Sequence, residues 1–484
     1  MPFALGNKYR HFAIPTPCIC CDPRLRTFTA LTNAAMSRRS FVAGAVAAAS
    51  VGISKAKAQT PSRTAVLFED VRIFDGKSEA LSAPSNVLIV GNLIKTVSAD
   101  PITPPADYDL TRIRGTGRTL MPGLIDAHTH LMFETLPKTA LMTADIEFVT
   151  VAAVRGTRDM LMRGFTSVRD LGGPVFGLKR GIDNGLTIGP RIWPSGAFIS
   201  QSGGHGDFRL PNELPSPPGQ VTYSERVNAS MIADDPGMVR KRAREQLALG
   251  ASQIKMMAGG GVSSSFDPLD VTQYTVEELR AGVEAAENWN TYATVHAYTP
   301  KAVRQAIEAG CRCIEHGQLL DEPTVALMAE KNIWWSLQPF LASDPPRFPE
   351  GSPNRLKLME MVQGTETAYA LARKYKIKTA WGTDILFDPE AATRQGHELA
   401  KLAIWYKPFE LLRMATSVNA ELLSLSGPRT PYPGKLGSVS DGALADLLLV
   451  NGNPLENITL IENPGKNFLV IMKDGQIHKN TTMT

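Results

Sequence analysis

The 484-residue sequence predicts an α/β fold: a (β/α)8 barrel of the TIM type, with a small composite β-sandwich built from both chain ends. Three observations lead to this prediction. Apolar, strand-like segments alternate with helical patterns through the centre, both ends are rich in short β-branched runs, and the first central strand ends in two histidines. An open, doubly wound sheet is the alternative, but no Gly-x-Gly-x-x-Gly motif follows a first strand.

A segment typical of a cleaved export signal begins at Met36. It has paired arginines, an Ala/Gly-rich apolar run and then Ala56-Lys57-Ala58, and it resembles a twin-arginine signal. The apolar run is too short to cross about 30 Å of hydrocarbon, so we expect no stable membrane insertion after the signal is removed. We predict cleavage after Ala58 and a periplasmic or secreted location, while the true start codon, Met1 or Met36, stays open.

The charge of the chain argues against a nucleic-acid partner. The whole sequence has 51 Lys and Arg against 47 Asp and Glu, but residues 1–58 hold eight of those bases and one of those acids. The remainder has 43 bases and 46 acids, a net charge of −3, which leaves little to attract phosphates. Of the five cysteines only Cys311 and Cys313 follow residue 58, and an i, i+2 pair on a strand has poor geometry for a disulfide.

Both ends of the chain have the texture of short strands. Between residues 65 and 120, β-branched runs are interrupted by Asp-Gly, Gly-Asn and Thr-Gly turns, and "GALADLLLVNGNP" and "FLVIMKDGQIHK" repeat that texture near the end. We therefore predict a small antiparallel sheet assembled from both flanks. The predicted division is an extension and signal in 1–58, sandwich parts in 59–120 and 429–484, and the barrel in 121–428.

Eight apolar segments of the centre are predicted strands. They are "LMPGLIDAHTHL" (120–131), "TSVRDLGG" (166–173), "RIWPSG" (191–196), "SQIKMMAGGG" (252–261), "TYATVHAY" (291–298), "RCIEHG" (312–317), "IWWSLQPF" (333–340) and "KTAWGTD" (378–384). Helical patterns lie between several of them: one spans 145–164, one begins at Asp235-Pro236, and one begins at the capping box that Thr275 opens. The Pro-rich stretch 209–220 is a predicted loop near the active face.

Polar residues that are unusual in buried strands lie at or near the ends of several predicted strands. Residues i and i+2 of a strand point the same way, so His128 and His130 share one face. The carboxyl ends of the strands carry the chemistry in such barrels, and the further candidates there are Lys255, His296, His316 and Asp384. Taken singly, each has an ordinary interpretation as a core histidine, a surface lysine or a helix cap. Together they predict a site for divalent metal ions, with zinc expected from the imidazole and carboxylate donors.

Lys255 is the exceptional member of this set, because an ammonium group cannot bind a cation. A buried lysine beside metal ions would be neutral, and a neutral amine can add CO₂ to form a carbamate whose two oxygens bridge two metals. The hypothesis is therefore a binuclear site with carbamylated Lys255 between two divalent ions. The two histidines of the first strand and Asp384 would bind one ion, and His296 and His316 would bind the other.

Six short motifs, in this order, resemble the amidohydrolase superfamily: "PGLIDAHTHL", "TSVRDLGG", "IKMMAGGG", "VHAY", "IEHG" and "WGTD". A lysine on the fourth strand is similar to the binuclear hydrolases of that superfamily. Within that superfamily, the sequence most resembles a subgroup that contains imidazolonepropionase-like proteins, Xaa-Pro dipeptidases, carboxypeptidases that release a C-terminal amino acid, and ochratoxinases. The resemblance implies a metal-activated hydroxide as the nucleophile, with Asp384 taking its proton and passing it to the leaving amine.

Four further residues are predicted to contact the substrate. His205, in "SGGHGD", could donate to the developing oxyanion or be a simple loop histidine. Tyr298 shares the inward face of the preceding candidate ligand and could bind a substrate carboxylate or carbonyl, or pack at the rim. Gly260 is predicted to let the backbone approach the ligand. Arg169 is a weaker candidate for a carboxylate clamp, with an ion pair to Asp170 as its alternative.

These features predict a metal-dependent hydrolase that cleaves the amide bond of a peptide or N-acyl amino acid, ochratoxin-type amides included. Apolar residues expected near the rim, Phe198 and Phe340 among them, favour a bulky hydrophobic leaving group or acyl group. A cyclic-amide hydrolase of the imidazolonepropionase type is an alternative that the export signal disfavours. A non-catalytic binding protein on the same fold is another, but such a protein has no need of Lys255 or Asp384. We expect a homo-oligomer.

Overall fold

The computed structural model describes residues 64–217, 219–345 and 347–482. The predicted export signal, its cleavage after Ala58 and both candidate start codons lie outside the described residues. Within those ranges, no helix is both long enough and apolar enough to cross a membrane.

Strands from both ends of the chain form one eight-stranded sheet. They are β1 (Thr64–Ile73), β2 (Ser85–Val90), β3 (Leu93–Ser98), β4 (Asp109–Arg114), β5 (Thr119–Pro122), β16 (Leu447–Val450), β17 (Phe468–Lys473) and β18 (Gln476–Asn480). Their order is β18-β17-β16-β5-β1-β2-β3, and β4 also pairs with β1. The predicted antiparallel sheet is wrong in one respect, because β1 is antiparallel to β2 but parallel to β4 and β5. Residues 99–108 carry the chain from the end of β3 back to the other end of the sheet. The next strand, β4, therefore runs in the same direction as β1.

Each of the eight predicted segments of the centre contains a strand, and the first, 120–131, also contains the end of β5, which pairs in the terminal sheet. The central strands are β6 (Leu124–Thr129), β7 (Phe165–Asp170), β8 (Arg191–Pro194) with β9 (Phe198–Ser200), β11 (Ile254–Met257), β12 (Ala293–Ala297), β13 (Cys313–His316), β14 (Trp334–Leu337) and β15 (Thr379–Trp381). The third strand is split between β8 and β9 by Gly196, whose φ of +72° cannot continue a strand. A short extra strand, β10 (Ser230–Ile232), pairs with β9.

All pairings of the central strands are parallel, but they form two sheets. One sheet has the order β6-β7-β8 and the other β10-β9-β11-β12-β13-β14-β15. The backbone nitrogen of Asp384, just after β15, donates to the carbonyl oxygen of His128 in β6 at 2.8 Å. The described residues therefore form a mixed α/β structure in which the first and last central strands, β6 and β15, come together. The closed barrel and the domain boundaries remain predictions.

The helices of the described residues lie mostly between these strands. They are α1 (Lys138–Thr143), α2 (Ile146–Met162), α3 (Phe176–Asp183), α4 (Tyr223–Arg226), α5 (Pro236–Leu249), α6 (Val276–Glu287), α7 (Pro300–Ala309), α8 (Glu322–Glu330), α9 (Pro353–Gln363), α10 (Thr365–Lys374), α11 (Pro389–Ala392), α12 (Gln395–Ala400), α13 (Pro408–Arg413), α14 (Asn419–Ser424) and α15 (Pro464–Asn467). The predicted caps are confirmed: the side chains of Asp235 and Thr275 accept backbone hydrogen bonds at the starts of α5 and α6. Asp145 caps α2 in the same way, at the start of the predicted helical segment 145–164.

The two largest apolar clusters of the described residues hold these layers together. The larger lies between the central strands and their helices and includes Val168, Ile314 and Trp335, all fully buried. A separate cluster around Phe68 and Leu449 fills the terminal sheet. The thiols of Cys311 and Cys313 are buried and free, as predicted.

Candidate active site

A cavity of about 890 Å³ opens at the carboxyl ends of the central strands. Eight of the ten residues predicted for the site line this cavity. They are His128, His130, His205, Lys255, His296, Tyr298, His316 and Asp384. Residues that lie far apart in the sequence, on β6, β11, β12 and β13 and in the segments that follow β6, β9, β12 and β15, thus face one space.

His128, on β6, and His130, directly after that strand, are called the β6 histidines, and both point their Nε2 atoms at one carboxylate. These atoms of His128 and His130 lie 3.2 and 3.1 Å from Oδ1 of Asp384, and the three side chains offer ligand atoms within 4.8 Å of one another. The opposite ring nitrogens are already held: Nδ1 of His130 lies 3.2 Å from the carbonyl oxygen of Gly172, and Nδ1 of His128 lies 3.0 Å from the Glu315 carboxylate. A histidine held through one nitrogen presents the other to a metal ion.

His296 and His316 extend this group across the cavity. The ring centroid of His316 lies 5.1 Å from that of His128 and 4.4 Å from that of His296. Nε2 of His296 donates to the carbonyl oxygen of Gly260 at 3.0 Å, which leaves its Nδ1 available as a ligand atom. Nδ1 of His316 is buried and has no hydrogen-bond partner among the described residues. The four imidazoles therefore form one continuous group of nitrogen donors.

Glu315 orients His128 and is not among the residues that the sequence predicts for the site. Its carboxylate is fully buried, accepts from Nδ1 of His128 at 3.0 Å and accepts from the guanidinium of Arg169 at 2.8 and 3.0 Å. The amide nitrogen of Gln338 also lies 3.1 Å from Nδ1 of His128. A signal for Glu315 was present in "RCIEHG", where an acidic residue interrupts an apolar segment directly before a candidate ligand.

Asp126 joins the first and last central strands beneath the site. Its carboxylate accepts from the backbone nitrogens of His128 at 3.0 Å and Thr383 at 3.1 Å, and from the Thr383 hydroxyl at 2.7 Å. Gly382 permits this approach, because a Cβ atom there would lie 2.5 Å from the backbone nitrogen of His128. These contacts bring Asp384 to the histidines of β6.

Two of the candidate ligands have a left-handed backbone. The φ angle is +75° at His316 and +48° at Asp384, a region that residues with a side chain seldom adopt. Such conformations persist only where surrounding contacts enforce them, and they are concentrated at functional sites. At these two positions the backbone is held in the conformation that turns the side chain into the cavity.

Burial governs the protonation of the site. It lowers the pKa of Lys255 to about 8 and holds the pKa values of His296 and His316 well below the ordinary value. Burial would raise the pKa of Asp384, but the charge of His128 and the hydrogen bonds from both β6 histidines outweigh it, so that this pKa lies well below its ordinary value. The pKa of His128 is instead raised, because the neighbouring Asp384 carboxylate outweighs the effect of burial. At neutral pH the uncharged imidazoles of His296 and His316 and the ionised carboxylate of Asp384 are thus in the protonation states that bind metal cations.

His205 and Tyr298 flank the histidine group. The ring of His205 stacks on that of His296 with centroids 4.1 Å apart, and its Nδ1 lies 2.7 Å from Oγ of Ser264. The ring of Tyr298 lies 5.1 Å from that of His316, and its hydroxyl group makes no hydrogen bond to any described residue. Nε2 of His205 and the hydroxyl group of Tyr298 can therefore form hydrogen bonds with a molecule in the cavity.

Two predicted substrate contacts are wrong. Arg169 is fully buried and is paired with Glu315 instead of Asp170, so its charge is already neutralised inside the protein. Gly260 does not line the cavity, and a Cβ atom there would lie 1.8 Å from the carbonyl oxygen of Pro268. Its backbone approaches another part of the chain rather than a ligand.

Apolar side chains make up much of the cavity wall. Phe198 and Phe340, both predicted near the rim, line the cavity, and so do Phe208 and Phe387, which were not predicted. The ring of Phe208 meets those of Phe198 and Phe387 edge-on, with centroids 5.8 and 6.3 Å apart. A bulky apolar group in the cavity would therefore be enclosed by aromatic rings.

The sequence profile of the amidohydrolase family matches residues 119–478, a range that contains every residue of the site. The chain belongs to the amidohydrolase family. Amide hydrolysis of small molecules is thus the general chemistry of this amidohydrolase, and the donor groups around the cavity suit that chemistry.

Relatives of the amidohydrolase include an ochratoxinase, a prolidase and an Xaa-Pro dipeptidase. Ochratoxinase of Aspergillus niger is 32% identical over 397 residues, which are 77% of this chain and 79% of that protein. A solved prolidase, complexed with N-methylphosphonate-L-proline, has a TM-score of 0.77 and 32% identity over 86% of the amidohydrolase and 100% of the prolidase chain. A solved Xaa-Pro dipeptidase with methionine bound in its active site has a TM-score of 0.72 and 28% identity over 86% and 100% of the two chains.

Proposed function

We propose that this amidohydrolase is a metal-dependent enzyme that cleaves the amide bond of a dipeptide or an N-acyl amino acid and releases the amino acid, with ochratoxin-type amides among its substrates. The observation that carries the proposal is the single cavity shared by four imidazoles, Asp384 and Lys255, with aromatic walls beside them. Similarity to a prolidase, an Xaa-Pro dipeptidase and ochratoxinase supports the same substrate class.

The donor set fits two divalent cations, most simply zinc. His128, His130 and Asp384 would hold one ion, since their ligand atoms already converge within 4.8 Å. His296 and His316 would hold the other, which would give the unpartnered Nδ1 of His316 a ligand role. When bound, the ions would lower the pKa of a water molecule and polarise the scissile carbonyl group.

Lys255 would link the two halves of the centre as a carbamate. The side chain is 2% exposed, and its pKa is lowered to about 8 by burial. The neutral amine attacks the carbon of CO₂ and loses one proton, which converts an uncharged group into an anion with two oxygen donors. A charged ammonium group at this depth beside two cations would be strongly disfavoured.

The remaining residues of the site would divide the proton transfers and the binding of the substrate. Asp384 is ionised and faces the cavity, so it can accept a proton from the nucleophile and deliver it to the leaving nitrogen. His205 would donate to the oxygen that gains negative charge in the tetrahedral intermediate. The free hydroxyl of Tyr298 would bind a polar group of the amino acid being released.

The proposal also includes the fold, the oligomeric state and the cellular location of the enzyme. We expect the central strands to close into a (β/α)8 barrel, the chain to form a homo-oligomer, and residues 1–58 to direct export to the periplasm or beyond. Light scattering of the purified protein tests the oligomer, and N-terminal sequencing of the exported protein tests cleavage after Ala58.

A substrate panel tests the activity. The enzyme is prepared without metal, reloaded with zinc and bicarbonate, and assayed against Xaa-Pro and Xaa-Phe dipeptides, N-acyl-phenylalanines, ochratoxin-type amides and an imidazolone. We expect the enzyme to hydrolyse the amino acid conjugates and to bind about two metal ions per chain. Asp384→Asn should lose both metal affinity and the proton transfer that Asp384 provides. Exclusive activity on the imidazolone would favour a cyclic-amide hydrolase, and binding without turnover of any substrate would favour a non-catalytic protein.

A further inference from the structure

Arg347 is a cation of the cavity wall that makes no ion pair with a described residue. Arg347 follows β14 and lines the cavity, and it forms no ion pair or hydrogen bond with any described residue. Its guanidinium carbon lies 5.1 Å from the centroid of the Phe340 ring. A guanidinium group that rests on an aromatic ring and lacks an anion is suited to bind a planar oxyanion.

The other cations around the cavity are already engaged. Lys138 donates to a backbone carbonyl oxygen at 2.9 Å, and Lys357 donates to three such oxygens. Arg169 is paired with Glu315. Arg347 differs from these three side chains because its guanidinium makes no hydrogen bond to a described residue, so all of its N–H donors remain for a bound anion.

The acidic residues at the mouth of the cavity do not neutralise Arg347. Asp388 caps α11 and accepts from the backbone nitrogen of Ala391 at 2.9 Å. The carboxylate of Glu390 lies 4.0 Å from the guanidinium of Arg394. The charge of Arg347 thus remains available inside a largely apolar space, where a charge-assisted hydrogen bond is stronger than in water.

Phe340 connects Arg347 to the chemical centre. Phe340 and Tyr298 pack in one apolar cluster, and the ring of Tyr298 lies 5.1 Å from that of His316. A substrate whose amide lies among the histidines can extend along this wall, past the Tyr298 hydroxyl and towards Arg347.

We propose that Arg347 determines specificity by binding the carboxylate of the amino acid that the reaction releases. The inference rests on the proposed function and names the charge that its substrates must carry. A guanidinium fork matches a carboxylate with two parallel hydrogen bonds. A C-terminal carboxamide has the same size but no charge and a single acceptor oxygen, so it cannot form that pair.

The test compares N-acyl-phenylalanines with their C-terminal carboxamides, using the metal-loaded, full-length enzyme. Wild type should prefer the acid over the amide by about tenfold or more in kcat/KM, the loss expected when a hydrogen bond to a charged group is removed. Arg347→Gln should lose that preference, mainly through KM for the acid, and should cleave the amide about as well as wild type. Arg347→Lys keeps the charge without the fork and should recover part of the preference.

Arg355→Gln is the matched control, because Arg355 lies nearby on α9 but does not line the cavity. It should keep the preference for the acid. The inference is overturned if wild type does not discriminate between acid and amide, or if Arg347→Gln discriminates as wild type does. A wild-type enzyme that cleaves neither member of any pair would overturn the proposed function as well, and this separates the two failures.

Discussion

Glu315→Gln should both destabilise the protein and weaken metal binding. Glu315 is fully buried and forms a two-point contact with Arg169 at 2.8 and 3.0 Å, and it accepts from Nδ1 of His128 at 3.0 Å. Glutamine has nearly the same size, so the substitution removes the charge and one acceptor without opening a cavity. The guanidinium of Arg169 is then left in the core without its anion.

The expected loss is large because the ion pair is completely shielded from water. Breaking a buried pair by removing one partner costs about 3–5 kcal/mol of the free energy of unfolding. His128 also loses the acceptor that orients its ring, and the loss of such a partner typically weakens metal affinity by about 10- to 100-fold. Chemical unfolding of the metal-free protein measures the first effect, and zinc titration against a competing chelator measures the second.

Two comparisons make this prediction refutable. Glu390→Gln removes a carboxylate that is 84% exposed and 4.0 Å from Arg394, and it should change stability little, as exposed ion pairs do. Arg169→Gln combined with Glu315→Gln should cost less than the sum of the two single changes, because the pair acts as a unit. Wild-type unfolding together with wild-type zinc affinity in Glu315→Gln would refute the role assigned to this ion pair.

Two further predictions concern Lys255 in the proposed metal centre and Gly382 directly after β15. Because burial lowers the pKa of Lys255 to about 8, the neutral amine that reacts with CO₂ should predominate above that pH instead of above about 10.5. Bicarbonate-dependent recovery of activity by metal-free enzyme should therefore rise between pH 7 and 9, and a rise only near pH 10 would contradict it. Gly382→Ala should abolish most activity and lower the unfolding temperature, because the added Cβ would lie 2.5 Å from the backbone nitrogen of His128. Gly177→Ala, which meets open space on α3, is the control, and equal behaviour of the two variants would refute the packing argument.

Sequence alone located the candidate ligands because their chemistry conflicts with their surroundings. A histidine, a lysine or an aspartate in an apolar strand is costly unless something compensates it, and six such residues occur at comparable positions along the central strands. Periodicity and capping signals likewise identified the strands and the starts of α2, α5 and α6, because those signals depend on residues a few positions apart.

The supporting residues could not be found in that way. The assignment of Arg169 to the substrate was wrong because its partner, Glu315, lies on β13, 146 residues later in the chain. Asp126 meets Thr383 across 257 residues, and no local pattern encodes such a contact. The role proposed for Arg347 could not be predicted from the sequence either, because it depends on which other cations near the cavity already have partners.

The order of polar and apolar residues by itself determined that this chain alternates strands and helices and that ligand-type side chains end several strands. Only the tertiary structure decided which of these side chains share a cavity, that the terminal sheet is of mixed direction, and which charges are neutralised before a substrate arrives. The reason is physical: local patterns report what each segment must bury, whereas hydrogen bonds and ion pairs depend on distances between segments that only folding brings together.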